Sequence, residues 1–421
     1  MEKKVLRHDT NCRICNSSQI TTILKLKDTP MEDQFVSEAN KEVLQPVYPL
    51  ELAICNNCGY TFLPYIVSPE VSYTDYIYES SVTVGLRNHY DQYAREIVEE
   101  YQVNQGSLVV DLGSNDGSML ASFKKLGMKV VGVEPARVIA DKATESGVYT
   151  INDFFTDKVV SQIKTNYGSA SVVSANYMFA NIDDILSFTR AVTILLEPNG
   201  IFVVQTGYHP EEFKIKMFDY IYHEHFSYFT TEVLQFIFSL CGLELIQATK
   251  TSPKGGSLRV VGQLKGGARA IGSSVHQIIN EEKQSGVRNP ETYKKLSSDL
   301  DAEKKKLVDK LNELKAAGKK IAGLGASHST TTFTYHFGLG PFLDYQVDDN
   351  VLKHGRYSPG LHIPVLSTDT LYKKDAPEYV VILAWQHQKS IIERHYEYLK
   401  SGGKFIIPLP EFSIISNENA K

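Results

Sequence analysis

The chain has 421 residues, 42% of them hydrophobic and 22% charged, which is typical of a soluble protein with two to three domains. No apolar run reaches the ~20 residues of a membrane span, and the first residues lack an apolar signal segment, so we expect no membrane partner and a cytoplasmic location. A net charge of −5 without a basic block argues against nucleic acid as a partner.

Two Cys-x2-Cys pairs stand near the start of the chain, Cys12/Cys15 and Cys55/Cys58. Each pair lets one turn present two thiolates to a metal ion, and two pairs complete a tetrahedral Zn²⁺ site. Two disulfides or idle thiols are the alternatives, and they suit a chain without a signal segment poorly. We predict a zinc module over residues 1–70, whose metal is structural because four thiolates leave no open position. Its predicted strands are Ile20–Leu26 and Val47–Ala53.

Over residues 71–265, apolar β-rich runs alternate with helical patterns. This alternation indicates a mostly parallel sheet covered by helices, as in Rossmann-like domains. The last two runs predict an antiparallel pair at the end of the sheet. The predicted strands are Ser107–Leu112, Lys129–Val133, Ala170–Ala175, Gly200–Thr206, Leu243–Thr249 and Ser257–Leu264.

The first of these strands runs into a glycine loop between Asp111 and Gly117. Gly113 and Gly117 permit a tight turn and close approach of a ligand to the backbone. Glu134 ends the second strand, where an acid is placed to accept hydrogen bonds from ribose hydroxyls. A dinucleotide loop requires G-x-G-x-x-G, and Asn115 replaces its second glycine here. S-adenosylmethionine (SAM) carries no phosphate and suits D-x-G-x-x-x-G better; a plain strand-to-helix turn is the other alternative.

Three further residues lie where such a ligand would extend. Phe154 is placed to cover an adenine ring, although a core position is more typical of this residue type. Asp153 is placed to read the adenine amino group. Asn176 closes the fourth strand next to the expected position of the methyl group.

The densest group of chemically active side chains is the run Tyr222-His223-Glu224-His225. Histidine titrates near neutral pH and can therefore remove a proton under physiological conditions. A neighbouring carboxylate can orient the imidazole, and a tyrosine hydroxyl can donate to a developing enolate oxygen. A metal site built on His-x-His and a buried polar network are the alternatives.

A charged helical connector over residues 266–318 leads into a second α/β unit at 319–421. Its glycine loop, Gly323-Leu324-Gly325, precedes a hydroxyl-rich helix start at Ser327–Thr330, and such loops hold phosphate through backbone N–H groups. A simple capped turn is the alternative. The predicted strands are Lys320–Leu324, Phe342–Val347, Tyr379–Ala384 and Lys404–Pro408.

Taken together, these motifs resemble the SAM-dependent C-methyltransferases that act on keto-deoxysugars attached to a nucleoside diphosphate. The resemblance spans the whole chain and includes both Cys pairs, Tyr76–Ser81, Asp111–Gly117, Tyr222–His225 and Lys353–Gly360. It implies a zinc module, a central class I SAM methyltransferase domain and a second Rossmann-like domain that together enclose a sugar nucleotide. A monomer or small homo-oligomer is expected.

The resemblance also implies roles for individual residues. His225 corresponds to the base, with Tyr222 and Glu224 as neighbours, and Tyr76 corresponds to a tyrosine near the reacting sugar. The expected cofactor contacts are Asp111, Gly113, Asn115, Gly117, Glu134, Asp153, Phe154 and Asn176. The expected substrate contacts are Tyr78, Ser80, His223, Ser327, His328, Ser329, Thr330, Lys353, Arg356 and Tyr357.

The chain departs from the family at His328, where these enzymes usually carry a lysine beside a phosphate. The departure leaves the carrier nucleotide open, with hydroxyls, Lys353 and Arg356 as other phosphate contacts. Three alternative functions follow from the same motifs: O-methylation of a sugar or another small polar acceptor, a nicotinamide oxidoreductase that uses the second glycine loop, and a nucleic-acid adaptor built on the Cys module.

Overall fold

The computed structural model of the protein describes residues 5–69, 71, 85–252 and 255–419. An antiparallel N-terminal sheet is followed along the chain by two α/β domains, each built on a largely parallel sheet. In this described part, no helix combines the length and the apolar character needed to cross a membrane.

The N-terminal strands are β1 (Leu6–His8), β2 (Ile20–Lys25), β3 (Glu51–Cys55), β4 (Thr61–Phe62) and β5 (Tyr65–Val67). Strands β2, β3 and β4 pair in that order and antiparallel, while β1 pairs with β5. The predicted strand at Val47–Ala53 begins later than expected, because Tyr48 pairs with Thr29 in an isolated bridge outside the ladder.

The central domain alternates strands and helices as predicted. Its elements are α1 (Leu86–Glu100), β6 (Leu108–Leu112), α2 (Ser118–Lys125), β7 (Lys129–Val133), α3 (Arg137–Glu145), β8 (Thr150–Ile151), α4 (Asp157–Tyr167), β9 (Ala170–Asn176), α5 (Ile185–Leu195), β10 (Leu196–Gly207), α6 (His209–Lys214), β11 (Ser227–Tyr228), α7 (Thr231–Leu240), β12 (Leu243–Thr251) and β13 (Ser257–Leu264).

The central sheet has the strand order β12-β13-β10-β9-β6-β7-β8. The five neighbouring strands β10, β9, β6, β7 and β8 are parallel. Strands β13 and β12 form the other edge in antiparallel fashion, as the sequence predicts. Every residue of β6 is buried, which fits a central strand covered by helices on both faces. The strand order reverses between β6 and β9, so a crevice opens beyond their carboxyl ends.

Strand β11 lies outside the central sheet and pairs with β4 of the N-terminal sheet, with Ser227 opposite Phe62. The backbone N–H of Leu63 also donates to the carbonyl of Phe226 at 3.1 Å. The segment that carries the Tyr222–His225 run is thus attached to the N-terminal sheet.

The C-terminal elements are α8 (Ser273–Ser285), α9 (Pro290–Ala316), β14 (Ile321–Leu324), α10 (His328–Phe337), β15 (Tyr345–Asp348), β16 (Val365–Ser367), β17 (Tyr379–Ile382), α11 (Gln388–Arg394), α12 (Tyr396–Lys400), β18 (Lys404–Ile407) and β19 (Ser413–Ile415). The sheet order is β16-β15-β14-β17-β18-β19, parallel except for β19. Helix α9 begins at the cap Asn289, whose side chain accepts the N–H of Glu291, and it buries Leu307, Leu311 and Leu314 along one face.

The N-terminal sheet lies between the two α/β domains. Successive residues of β3 point to opposite faces, so Ala53 and Cys55 join the core of the central domain. Leu52 and Ile54 join a second core formed with α9 and the C-terminal sheet. One short sheet therefore carries a hydrophobic contact on each side.

Candidate active site

A cavity of about 960 Å³ is lined by both α/β domains and by the segment that joins β11 to α6. Its walls come from loops that follow β6, β7 and β9 in the central domain and β14 and β17 in the C-terminal domain. Ligands of α/β proteins gather at these carboxyl ends of strands. The lining residues that matter below are Gly113, Asn115, Glu134, Asp153, Phe154, Asn176, Tyr222, Glu224, His225, Ser327, His328 and Ser329.

The loop after β6 has the backbone shape that its glycines predict. Gly113 and Gly117 have φ angles of 64° and 75°, and Asn115 between them has φ 50°. A Cβ atom on Gly113 would come within 2.8 Å of Cγ of Met178. The loop thus keeps the backbone at position 113 open toward the cavity, as a cradle for a ligand requires.

Glu134 stands at the end of β7 and faces this loop. Its carboxylate accepts the backbone N–H of Asn115 at 3.0 Å and that of Ala136 at 2.9 Å. Burial raises the pKa of Glu134 despite these two hydrogen bonds. Each carboxylate oxygen keeps a second lone pair, so the group can still accept from a ribose diol.

Asp111 and Gly117 lie behind the cavity wall, unlike the other expected cofactor residues. Asp111 is buried in β6 and accepts hydrogen bonds from Ser174 Oγ at 2.6 Å and Asn176 Nδ2 at 3.0 Å. Burial raises its pKa to about 7. Asp111 therefore holds Asn176 in place, and Gly117 provides the left-handed turn into α2.

The Tyr222–His225 turn brings an imidazole to the cavity in a defined protonation pattern. His225 Nδ1 lies 3.3 Å from the carbonyl oxygen of Tyr220, which can only accept, so Nδ1 carries the proton. His225 Nε2 lies 2.9 Å from the hydroxyl of Tyr222, which donates to it. Burial raises the pKa of Tyr222 well above its ordinary value, which keeps that hydroxyl protonated. In the neutral imidazole, Nε2 is therefore the lone-pair atom, and it lies at the cavity wall.

Glu224 differs in its pKa from the charged carboxylate that was expected to orient His225. Burial, followed by the nearby charges of Glu32 and Asp33, raises the pKa of Glu224 well above its ordinary value. Its carboxyl oxygen lies 3.8 Å from His328 Nε2. Glu224 lines the cavity, and its raised pKa favours the protonated form, which can donate a hydrogen bond.

Several expected substrate residues lie away from the cavity. The His223 ring is fully buried and faces Glu32 at 3.6 Å, on the opposite side of the turn from His225. Thr330 caps helix α10 through Ser327 and is buried. Lys353 forms a 2.7 Å ion pair with Asp33, so its charge is neutralised inside the protein.

Arg356 and Tyr357 also turn from the cavity, toward the N-terminal segment. Arg356 donates to the carbonyl of Phe35 at 3.5 Å, and Tyr357 bonds Glu38. The expected contacts Tyr76, Tyr78 and Ser80 lie outside the described residues.

Sequence reasoning missed other residues of the site. His89 in α1 and Glu212 in α6 line the cavity, and Glu32 and Asp33 lie directly behind the Tyr222–His225 turn. None of these belongs to a recognisable motif. Only the adjacent pair of acids, Glu32-Asp33, stands out in an otherwise plain loop.

The four N-terminal cysteines form a compact cluster with all Sγ atoms within 4.8 Å of one another. Zn–S bonds of about 2.3 Å place tetrahedral ligands roughly 3.8 Å apart. The Cys12–Cys58 and Cys15–Cys55 sulfur distances are 3.7 and 3.5 Å. The cluster fits a zinc ion, as the Cys-x2-Cys spacing predicts.

Comparison with known proteins identifies each part of the chain. Residues 12–73 match a zinc binding domain, residues 86–248 a methyltransferase domain, and residues 252–410 a C-methyltransferase C-terminal domain. The C-methyltransferase NovU of Streptomyces niveus is 31% identical over 416 residues, which cover 99% of both chains.

Solved methyltransferases resemble a smaller part of the chain. ChlM of Synechocystis PCC 6803, a magnesium protoporphyrin IX methyltransferase with bound SAM, is 13% identical, covers 45% of this chain and 86% of its own, and has a TM-score of 0.33. The CurJ carbon methyltransferase is 13% identical, covers 44% of this chain and 57% of its own, and has a TM-score of 0.36.

The predicted SAM and zinc cofactors agree with the matched methyltransferase and zinc binding domains, and with the glycine cradle, the Glu134 carboxylate and the sulfur cluster. The family matches also decide between the alternatives of the sequence analysis, in favour of methyl transfer to carbon. This chain therefore belongs to the SAM-dependent C-methyltransferases with an N-terminal zinc binding domain and a C-methyltransferase C-terminal domain.

Proposed function

We propose that the enzyme methylates a carbon next to the ketone of a keto-deoxysugar that is carried by a nucleoside diphosphate, in the cytoplasm. The observation that carries this proposal is the place of His225 Nε2, the lone-pair atom of the neutral imidazole, at the wall of a cavity shared by both α/β domains. The saturated carbon next to a ketone becomes nucleophilic once it loses a proton, and it loses one to a base of moderate strength.

The chain's own groups supply the proton transfers. His225 Nε2 takes the proton from the carbon, and the C–H electron pair becomes the double bond of an enolate. Once Nε2 holds this proton it no longer accepts from Tyr222, so the Tyr222 hydroxyl can donate to the enolate oxygen, as can the carboxyl group of Glu224. Held by the Asp111–Gly117 loop and Glu134, SAM would supply the electrophilic methyl group for the enolate carbon, and the C–S electron pair would stay on sulfur. His225 then returns its proton to solvent.

The C-terminal wall of the cavity supports a nucleotide-linked substrate. Ser327 and Ser329 present hydroxyls at the N-terminus of α10, where backbone N–H groups favour an anion. His328 lies at the same position, within 4 Å of both Asp33 and Glu224. Because Lys353 is paired with Asp33, we assign the phosphate contacts to this helix end rather than to Lys353 and Arg356.

The test separates proton removal from methyl transfer. A panel of thymidine, uridine, cytidine and guanosine diphosphate 4-keto-6-deoxyhexoses is incubated with the enzyme in D₂O without SAM, and exchange of the protons next to the ketone is followed by NMR. With SAM present, carbon NMR of the product locates the new methyl group. We expect His225→Asn to lower both rates by about 10²–10⁴-fold, the value of a general base.

The control is His276→Asn on the exposed face of α8, which should leave both rates unchanged. Full exchange in His225→Asn would remove His225 as the base. A new O–CH₃ carbon in the product would replace carbon methylation by O-methylation.

A further inference from the structure

An acidic turn from the N-terminal segment lies buried beneath the Tyr222–His225 turn. Glu32 has no exposed surface, and it stands in the loop between β2 and β3. Thr331 in α10 donates its hydroxyl to the backbone carbonyl of Glu32 at 2.7 Å. Glu32 thus sits where the N-terminal segment, the Tyr222–His225 turn and the C-terminal domain meet.

The Glu32 carboxylate contacts the turn at two successive residues. Its Oε1 accepts the backbone N–H of Glu224 at 2.9 Å. Its Oε2 lies 3.6 Å from His223 Nδ1 and has no hydrogen-bond partner among the described residues. Burial opposes ionisation, but the facing imidazole of His223 brings the pKa of Glu32 below its ordinary value. Glu32 therefore keeps a buried charge, although an apolar side chain at this position would avoid the cost of removing that charge from water.

Asp33 completes the acidic turn on the other side. It accepts Lys353 Nζ at 2.7 Å and lies 3.7 Å from His328 Nε2. Lys353 also donates to the carbonyl of Ala326 at 2.6 Å, which is the residue before the start of the α10 cap. The acidic turn is thereby fixed to the C-terminal domain independently of Glu32.

The Tyr222–His225 turn depends on contacts from outside itself. It contains no regular helix or strand, and a single short-range backbone bond, from His225 N–H to the Tyr222 carbonyl, closes it among the described residues. The flanking carbonyl of Ile221 is held by Thr332, and that of Phe226 by Leu63. Glu32 supplies the corresponding support at position 224, directly before His225.

We propose that Glu32 is a positioning residue for methyl transfer, which sets the place of His225 at the cavity wall through the backbone N–H of Glu224. This inference rests on the proposed function of His225 as the base. It gives the N-terminal segment a part in the chemistry beyond holding zinc, because that segment delivers the carboxylate. Glu32 acts through the turn and does not line the cavity.

Two substitutions separate position from charge. Glu32→Gln removes the charge but keeps an oxygen within reach of the Glu224 N–H, whereas Glu32→Asp keeps the charge and withdraws the oxygen by one methylene. With the keto-sugar nucleotide that the wild-type enzyme turns over best in the panel, we expect Glu32→Asp to lower kcat and the α-proton exchange rate by about 10²-fold, the cost of a misplacement near 1 Å. Glu32→Gln should keep both rates within about tenfold of wild type.

Other readouts keep a structural defect distinguishable from a positioning defect. The SAM dissociation constant by calorimetry and KM for the sugar nucleotide should stay near wild type in both variants, and amide exchange of the peptide around Glu224 should accelerate only in Glu32→Asp. Glu282→Ala is the matched control, because Glu282 is another buried carboxylate that accepts backbone N–H groups, from Thr231 and Glu232. It should lower the melting temperature and leave kcat unchanged.

The inference is overturned if Glu32→Asp turns over at the wild-type rate, if Glu32→Gln is the slower of the two variants, or if the Glu282→Ala control loses kcat to the same degree. The proposed function fails separately, if His225→Asn still exchanges the α-proton. Loss of exchange in His225→Asn together with wild-type exchange in Glu32→Asp would reject the positioning role alone.

Discussion

Several buried carboxyl groups at and near this site have pKa values raised well above those of free carboxyl groups. Burial, followed by the charge of Asp219, raises the pKa of Glu212 to about 8. Burial also raises the pKa of Asp219 to about 7, although Gln386 and Trp385 donate hydrogen bonds to its carboxylate. In both groups the folded state retains a proton that the unfolded chain releases near pH 4, so the free energy of unfolding falls as pH rises from about 4 to about 8.

This linkage predicts a specific effect of Glu212→Gln. The amide cannot ionise. Between pH 5 and pH 8 the free energy of unfolding of the variant should therefore fall less steeply than that of wild type, by up to about 1.4 kcal/mol per pH unit. Urea unfolding at several pH values measures the difference. Glu313→Gln, at a side chain that is 67% exposed, is the control and should keep the wild-type slope. Equal slopes in wild type and Glu212→Gln would show that Glu212 ionises normally in the folded protein.

The Tyr222–His225 turn shows where residue-level prediction from sequence stops. The residue types identified the run, and the resemblance selected His225. The turn then places His225 at the cavity and His223 against Glu32, although the two are only two residues apart. A turn without regular periodicity gives no rule for which side chain points where, so only the packing of Glu32 and Tyr220 decides it.

Secondary-structure elements were more predictable than turns. Lys129–Val133 and Ser257–Leu264 have the predicted bounds, because valine-rich runs bounded by turn residues have few alternatives to a strand. Strands of two or three residues, such as β8, β11 and β16, were not predicted, since their extended form depends on a neighbouring strand rather than on a local pattern. The pairing of β11 with β4 is the clearest case, because its partner is far away in the sequence.

The glycine loop after β6 carries an element-level prediction. Gly113→Ala should weaken SAM binding by about tenfold or more, since it combines a strained φ of 64° with a methyl group placed 2.8 Å from the Met178 side chain at the cavity. Gly106→Ala separates the two causes, because Gly106 has φ 81° but open space around its Cβ. It should lower stability by about 1 kcal/mol and leave the SAM affinity, measured by calorimetry, unchanged. Unaltered affinity in Gly113→Ala would show that Met178 moves aside freely.

At the scale of the whole molecule, the zinc binding domain connects two cores and a reactive turn. Its sheet packs on the central domain with one face and on the C-terminal domain with the other. Arg13 stands inside the first Cys-x2-Cys loop and donates to the carbonyl of Phe226 at 2.7 Å, directly after His225. The cysteines alone were enough to predict the zinc site. The hydrogen bond from Arg13 to Phe226 could not be predicted, because more than 200 residues of chain separate the two.

This arrangement predicts that Cys12→Ala impairs catalysis more than cofactor binding. Without the Cys12 thiolate the Cys12–Cys15 loop loses its metal anchor, Arg13 releases Phe226, and the pairing of β4 with β11 weakens. We expect methyl transfer to fall by about 10²-fold or more, amide exchange of the peptide around Ser227 to accelerate, and the SAM dissociation constant of the central domain to stay near wild type. Zinc content is measured on the same samples by mass spectrometry.

Cys241→Ala is the matched control for this experiment, because Cys241 is a buried thiol outside the zinc cluster. It should keep zinc, exchange rates and methyl transfer close to wild type. If Cys12→Ala loses zinc and still transfers methyl groups at the wild-type rate, the Tyr222–His225 turn is held by the two α/β domains alone. If SAM binding is lost together with zinc, the central domain depends on the N-terminal sheet for its own fold, because that sheet contributes Ala53, Cys55 and Phe62 to the central core.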